Sequence, residues 1–343
     1  MFYESWALLP ALETLAIDGQ ISVLLVWADA SHSVLTGLIP LAHERTYQKC
    51  PATHWTNWLH LHCPLGTPLV HRDHAESTLE ALLGWLDEES GAMVFSLSKI
   101  PSDGAFARSL QAVTQSQGRM LDDRDHWERA LLQGGVSGEE YVTTHHSKKK
   151  LKEYSRLRRR LEDLGELEFQ TLRPGKNGNL HQWTRDFLKL EGNGWKGRAL
   201  TAMSCNGGER LFAESLIHNA AERGQLMMLR MSLDGEPIAV KLNFISATEG
   251  AFALKIAYDE QFAPFSPGVL LELENIYTML DETHVGWMDS CAIPNHPMID
   301  RLWAGRRPMV NYHISTRQAL SKPLLHTMHL LKTAYHYYKG IRL

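Results

Sequence analysis

Residues 253–276 read ALKIAYDEQFAPFSPGVLLELENI: an apolar run, an acidic pair, two prolines and a second apolar run. The first run belongs to GAFALKIAYD (250–259), which sets Phe252, Leu254, Ile256 and Tyr258 on one face and Ala251, Ala253, Lys255 and Ala257 on the other. Both faces are largely apolar, the pattern of a strand in the interior of a sheet. Lys255 is the odd residue, because an ammonium there is costly unless it is paired or opens onto a cleft. Past the loop, Ser266 suits a helix N-cap, Pro267 the first helical position, and Gly268 a close backbone approach. Val269, Leu270, Leu273, Ile276, Tyr277 and Leu280 then repeat at helical spacing. A central strand that feeds a helix N-terminus offers N–H groups and the helix dipole to an anion, so Ser266, Pro267, Gly268, Val269 and Leu270 read as a phosphate cradle.

Upstream, QLMMLRMSLD (225–234) and PIAVKLNFISA (237–247) are two more strand-like runs, with turns at 234–237 and 247–250, which makes a β-meander ending in this junction. Before them the pattern predicts a strand at 167–172, a helix at 180–190, a glycine-rich loop EGNGWKG at 191–197 and a helix at 209–223. SKKKLKEYSRLRRRLEDLG (147–165) spaces Leu151, Tyr154, Leu157, Leu161 and Leu164 on one helix face, with Ser147 as N-cap and Gly165 as C-cap. Its other faces carry Lys148, Lys149, Lys150, Lys152, Arg156, Arg158, Arg159 and Arg160, which fits a solvated face or a phosphate-contacting one. The first part of the chain reads as a hairpin (21–29 and 33–44), strands at 58–61 and 92–97, and helices at 75–86 and 103–117, a mixed α and β order. The glycine-rich 131–138 marks a boundary, giving domains at 1–138 and 139–320 and a C-terminal amphipathic helix at 321–343.

The 343 residues, 44% hydrophobic, suffice for two cores, and a net charge of -4 gives no whole-molecule attraction to nucleic acid. Cys50, Cys63, Cys205 and Cys291 lie far apart without a CxxC spacing, which fits reduced thiols in a cytoplasmic protein. His60/His62, His71/His74 and His145/His146 have no third ligand at helical spacing, so no metal is expected. The N-terminal stretch carries Glu4 and Glu13 and has no basic head or cleavage site of a signal peptide, and no apolar run is long enough to span a bilayer.

The meander, KIAYDE (255–260), the SPG (266–268) and the long helix resemble the GNAT-superfamily acyltransferases, in particular the bacterial CelD-like, or cellulose-biosynthesis, acetyltransferase branch. The resemblance extends over about 145–315 through the basic segment at 147–165, LEGNGWKG (190–197), DGEPIAV (234–240) and MDSCAIPNHPMIDRLWAGRR (288–307). This branch is similar to the Fem-type aminoacyltransferases, which implies an α/β (α+β) chain of two tandem GNAT-like folds, each a mixed sheet flanked by helices, the first degenerate. It departs from the usual phosphate loop, (Q/R)xxGx(G/A), because EQFAPFSPGV has one glycine and a proline that cannot donate.

The resemblance implies acyl transfer from acetyl-CoA or another acyl-CoA to the amine of a small molecule or amino sugar, by direct attack on the thioester and without metal. For that chemistry Asp289 could orient or deprotonate the amine or serve as a cap, Tyr258 could protonate the leaving thiolate or pack in the core, and Glu191 lies in the glycine-rich block with Trp195 and Lys196. Asp259 could pair with Lys255, and Arg301 could hold a substrate carboxylate or pair with Asp300; Cys291 reads as a core thiol. Two other functions fit: a Fem-type enzyme that takes an aminoacyl group from charged tRNA held by residues 148–160, and a noncatalytic accessory protein for exopolysaccharide assembly. The C-terminal helix, with Leu324, Leu325, Met328, Leu331 and Tyr335 beside Lys322, Lys332, Lys339 and Arg342, either packs on the protein or lies on an anionic membrane surface.

Overall fold

The structure is a computed structural model that describes residues 1–16, 20–173, 178–246 and 250–338. The chain forms two compact units, neither continuous in sequence. One comprises Glu128–Arg307 with Ser5–Leu15 and Met1; the other comprises Ala16–Trp127 and Pro308–Leu343 with Phe2–Glu4. The strands Leu121–Gln133 and Gly305–Ser315 each supply residues to both.

In the unit built on Glu128–Arg307 the sheet runs in the order Leu167–Leu172, Leu226–Leu233, Glu236–Ile245, Gly250–Tyr258, Trp287–Asp289 and the end of Leu121–Gln133. All pairings are antiparallel except that of Gly250–Tyr258 with Trp287–Asp289, which is parallel. The first two meander strands join at Asp234 and Gly235, both at positive φ (49° and 80°), the two-residue turn that matches the strand twist. Gly250–Tyr258 is interior, as its two apolar faces require. On one side of the sheet the helix Pro267–Glu282 buries Leu270, Leu271, Ile276 and Met279; Leu157 and Leu161 of the basic helix Lys148–Glu162 join that core. Elsewhere Trp6 of the helix Ser5–Thr14 meets Phe244 edge to face, at 5.0 Å.

The other unit orders its strands Ile21–Trp27, Leu35–Glu44, His54–Asn57, Val94–Pro101 and the end of Gly305–Ser315, with Leu69–Val70 paired to Leu35–Glu44. His54–Asn57 and Val94–Pro101 are parallel and the remaining pairs antiparallel. The helices Ala75–Glu88 and Ala105–Ser116 supply Leu79, Leu82, Leu86, Leu110 and Val113 to a core with Ile39, Phe95, Leu97 and Ile314. Each unit is thus a mixed sheet flanked by helices, the expected fold class.

Several expected elements differ. The glycine-rich 131–138 does not open with a loop, because strand Leu121–Gln133 runs through its start and buries Ala130 and Leu132. The strand expected at 58–61 is His54–Asn57. The glycine-rich 191–197 is mostly helical: helix Leu180–Asn193 runs into it, Gly194 alone is extended (φ -86°, ψ -171°), and Trp195–Arg198 adds a further turn. Ser147 caps the basic helix through Lys150 N–H, as expected, but that helix ends at Glu162 and not at Gly165. Residues 247–249 of one expected turn and 339–343 of the last helix, which is described as Ser321–Tyr338, lie outside the described residues.

Candidate active site

The strand Gly250–Tyr258 keeps its parallel neighbour only over Gly250–Phe252, which pair with Trp287–Asp289. After a register shift between Ala253 and Lys255 it continues beside Glu236–Ile245, with Lys255 opposite Leu242 and Tyr258 opposite Ala239. Asp259 N–H donates to Ile238 O at 2.8 Å. Antiparallel pairing alternates, so Lys255 and Ala257 exchange bonds with the same neighbour while the backbone N–H and C=O of Ile256 and Tyr258 turn to the opposite edge. Lys196 confirms that direction by donating from Nζ to Ile256 O at 2.8 Å. The result is a strand edge whose donors lie beyond the last residue paired with Trp287–Asp289.

The strand ends in a 3-10 turn, Glu260–Phe265, capped by the Asp259 carboxylate through Gln261 N–H. Ser266 then adopts the left-handed conformation (φ 53°, ψ 53°), and its side chain makes no cap bond to the helix Pro267–Glu282, unlike the N-cap expected from sequence. Its carbonyl does that work instead, accepting from Val269 N–H at 2.9 Å and Leu270 N–H at 3.2 Å. Pro267 has no N–H, so Gly268 is the first-turn donor that this carbonyl does not engage. Gly268 is buried, and a Cβ there would stand 3.4 Å from the Tyr258 ring and 3.7 Å from Met298 Sδ, ordinary contact distances.

Beside the open edge lies a buried Glu191. Its Oε1 accepts from Lys255 Nζ at 2.7 Å and stands 3.8 Å from Lys196 Nζ; its Oε2 accepts from Met203 N–H at 2.8 Å. Lys255 also donates to Thr201 O. Burial pulls the Lys196 ammonium down to about 8, Glu191 opposing the shift and the positive charges of Lys255 and Lys241 adding to it. Trp195 is exposed, with its ring 5.9 Å from Lys196 Nζ. Glu260 fixes the short helix that carries both residues, accepting from Trp195 N–H at 2.8 Å and from the Arg198 guanidinium. Next to this cluster, Tyr258, Asp259 and Glu260 line a cleft of about 890 Å³ whose other walls include Arg185, Asp186, Lys189 and Arg230.

Glu191, Lys196 and Lys255 are therefore brought together, with Tyr258 and Asp259 further along the same strand and Trp195 at the rim. Lys255 takes Glu191, and not Asp259, as its partner. Asp289 lies across from Phe252, fully buried: its Oδ2 accepts from Arg129 at 2.6 Å and Arg307 at 2.7 Å, its Oδ1 from Cys291 N–H at 2.9 Å. Burial, with the Asp289 charge beside it, pushes the Cys291 thiol up. Arg301 sits exposed on the short helix Ile299–Leu302.

Sequence reading missed Glu260, the two arginines on Asp289, and His296. The His296 Nδ1 accepts from Met298 and Ile299 N–H, and its pKa is lowered by burial, with Asp300 raising it and the Lys196 charge lowering it further. Glu260 follows Asp259 directly and His296 lies within the quoted block at 288–307, but nothing in their spacing points to Trp195 or Lys196.

Residues 148–292 match the family model of the acetyltransferase (GNAT) domain. FemX is similar in structure over 95% of this chain and 94% of its own, with a TM-score of 0.57 and 11% identity. A conserved protein of unknown function from Bacteroides thetaiotaomicron is similar over 91% and 90%, with a TM-score of 0.54 and 10% identity. The C-terminal domain (DUF2156) of a protein assigned as a lysylphosphatidylglycerol synthetase, from Agrobacterium fabrum, is similar over 89% and 88%, with a TM-score of 0.52 and 11% identity. No curated protein matches the sequence. The chain thus has a GNAT-type acyltransferase fold, with the matched domain spanning the basic helix, the meander, the junction and Asp289.

Proposed function

We propose that the protein is an acyl-CoA-dependent N-acyltransferase of the CelD-like branch, acting in the cytoplasm on the amine of a small molecule or amino sugar, with the unit built on Glu128–Arg307 carrying the site and the other unit a degenerate second copy. The observation that carries this reading is the opening of strand Gly250–Tyr258 beyond Phe252 beside a buried Glu191 that holds two lysines. The donor set fits an acyl-CoA. Gly268 N–H and the positive end of helix Pro267–Glu282 would hold phosphate, helped by Arg160, whose guanidinium lies 4.8 Å from the Phe265 ring at the end of the preceding turn. Acyl-CoA supplies the activated thioester.

The turned-out N–H groups of Ile256 and Tyr258 can receive the thioester oxygen as negative charge develops on it. Formation of the C–N bond and breakage of the C–S bond leave one proton to be lost by the amine to water, from which the proton donor is later restored, and one to be gained by the thiolate. Lys196 holds a proton at Nζ with a pKa of about 8, which suits it to give that proton to the thiolate, and Tyr258 stands further along the strand as a second donor. Glu191 orients both lysines. Trp195, Asp259 and the cleft beyond Tyr258 bound the acceptor side, while Arg301 and Asp289 act from the periphery.

The test is calorimetry with coenzyme A together with thiol release from acetyl-CoA over a panel of amines. Binding, and thiol release that depends on the amine, are expected. Absence of both at millimolar coenzyme would overturn the reading. A second donor, aminoacyl-tRNA, is favoured by the exposure of Lys148, Lys149, Lys152, Arg156 and Arg159 along the basic helix. A shift of bulk tRNA at low salt without any coenzyme A binding would transfer the proposal to that donor.

A further inference from the structure

A second cavity, of about 450 Å³, opens among the helices Gly138–His145, Lys148–Glu162 and Pro267–Glu282 and the strand Leu167–Leu172, all in the unit built on Glu128–Arg307. It shares no wall residue with the cleft beside Tyr258. Buried Leu270 and Leu273 and the half-buried rings of Tyr154, Phe169 and Tyr277 give it apolar and aromatic surface, while Glu139 and Glu274 give it carboxylates. Leu270, Leu273, Glu274 and Tyr277 recur at three- and four-residue spacing on helix Pro267–Glu282, so one stripe of that helix brings the apolar wall and an acid together. Glu274 is the residue out of place. It is half-buried, its pKa is raised by burial, and among the described residues its carboxylate accepts no hydrogen bond and forms no ion pair. Arg158, the one cation in the cavity wall, lowers that pKa but is engaged elsewhere: its Nε donates to Glu162 at 3.0 Å and its guanidinium lies 5.0 Å from the centre of the Phe169 ring. The hydroxyls of Tyr154 and Tyr277 also have no hydrogen-bond partner among the described residues. Burial raises the Tyr277 pKa, and the charges of Glu139, Glu274 and Asp281 raise it further, so the field in this part of the cavity is negative.

We propose that this cavity binds an organic ammonium carried on an apolar stem, at a site separate from the proposed active site. Charge selects that ligand. A partly buried carboxylate without a partner is costly until a cation or a hydrogen-bond donor reaches it, and the faces of aromatic rings attract the same cation. An anionic ligand would instead meet Glu274 and Glu139. The guanidinium of Arg158 over Phe169 is the protein's own example of the pairing. The leucines and ring edges take the stem, and a volume of about 450 Å³ falls within the ~300–1,000 Å³ of small-molecule pockets that join an apolar lining to a few polar groups. The inference stands on these residues alone and does not depend on acyl transfer.

The experiment is isothermal titration of the full chain, at about pH 7 where an alkylamine is charged, with hexylamine and with its uncharged and anionic analogues hexanol and hexanoate. It is repeated on Glu274→Gln and on Tyr154→Leu. Glu274→Gln keeps the shape of the side chain and loses no hydrogen bond, so its melting temperature is expected to match or exceed that of the wild type; should it fail to fold, Tyr154→Leu supplies the readout. Hexylamine is expected to bind at least ~10-fold more tightly than either analogue, and each substitution to weaken it by ~10-fold. No heat with hexylamine at millimolar concentration overturns the proposal, as does equal affinity for hexanol. So does hexylamine binding that a folded Glu274→Gln variant leaves intact, since the amine would then lie elsewhere.

Discussion

In the proposed reaction Lys196 concentrates the proton chemistry in one atom, because its Nζ contacts the strand edge and stands near the Glu191 carboxylate at the same time. The protonated donor exists below pH about 8, so a step that needs it slows as pH rises through that value. Lys196→Gln is expected to lower kcat by ~10²-fold and to abolish this alkaline limb; an unchanged limb in the variant would assign it to another group. The same shift bears on stability. The ordinary lysine value is 10.5 and the folded value about 8, so between them the unfolded chain binds more protons and the Lys196 contribution rises with pH. Asp289 behaves differently. Two guanidiniums share its Oδ2, and Asp289→Asn would leave both facing a neutral amide in a buried position. The expected cost is about 3–5 kcal/mol, read from the denaturant midpoint. Loss of turnover with an unchanged midpoint would instead return Asp289 to the role of an acid or base.

Among the elements, the pair Leu180–Asn193 and Trp195–Arg198 determines where Lys196 points, and one glycine sets their approach. A Cβ on Gly197 would stand 1.8 Å from the Gly192 carbonyl oxygen, a backbone atom that cannot swing away. Gly197→Ala should therefore force the short helix outward, costing about 1–3 kcal/mol and lowering thiol release from acetyl-CoA along with it. Full stability in the variant would mean that the segment bends freely. GWKG marked the importance of this block in the sequence, but its glycines read as loop because glycine breaks most helices. Gly194 is indeed the break between the helices, but Gly197 is helical because its backbone meets that of Gly192. Ser266 shows the reverse case: residue type predicted a side-chain cap, and the left-handed backbone before Pro267 gave the capping to the carbonyl. Strand Leu121–Gln133 was illegible because Asp122, Asp123, Asp125, Glu128 and Arg129 hide its alternation, and its pairing with Trp287–Asp289 lies more than a hundred residues away.

At the scale of the molecule, both units draw on distant parts of the chain: Ser5–Leu15 joins the unit of Glu128–Arg307, and Pro308–Leu343 joins that of Ala16–Trp127. A reading that moves along the sequence divides it into consecutive pieces and has no term for such exchange. What the sequence determined by itself is local: the two-faced strand Gly250–Tyr258, the turn at Asp234–Gly235, the Ser147 cap and the helix behind Pro267. Each follows from spacing or backbone preference within a few residues. The tertiary structure alone decided that Glu191 pairs with Lys255, 64 residues away, that Asp289 is clamped by Arg129 and Arg307, and that the last helix buries Leu325 while leaving Leu330 and Leu331 exposed. The reason is physical: a buried charge takes whichever opposite charge the packing of distant elements brings within reach, and that reach is a distance in space, on which position along the chain is silent.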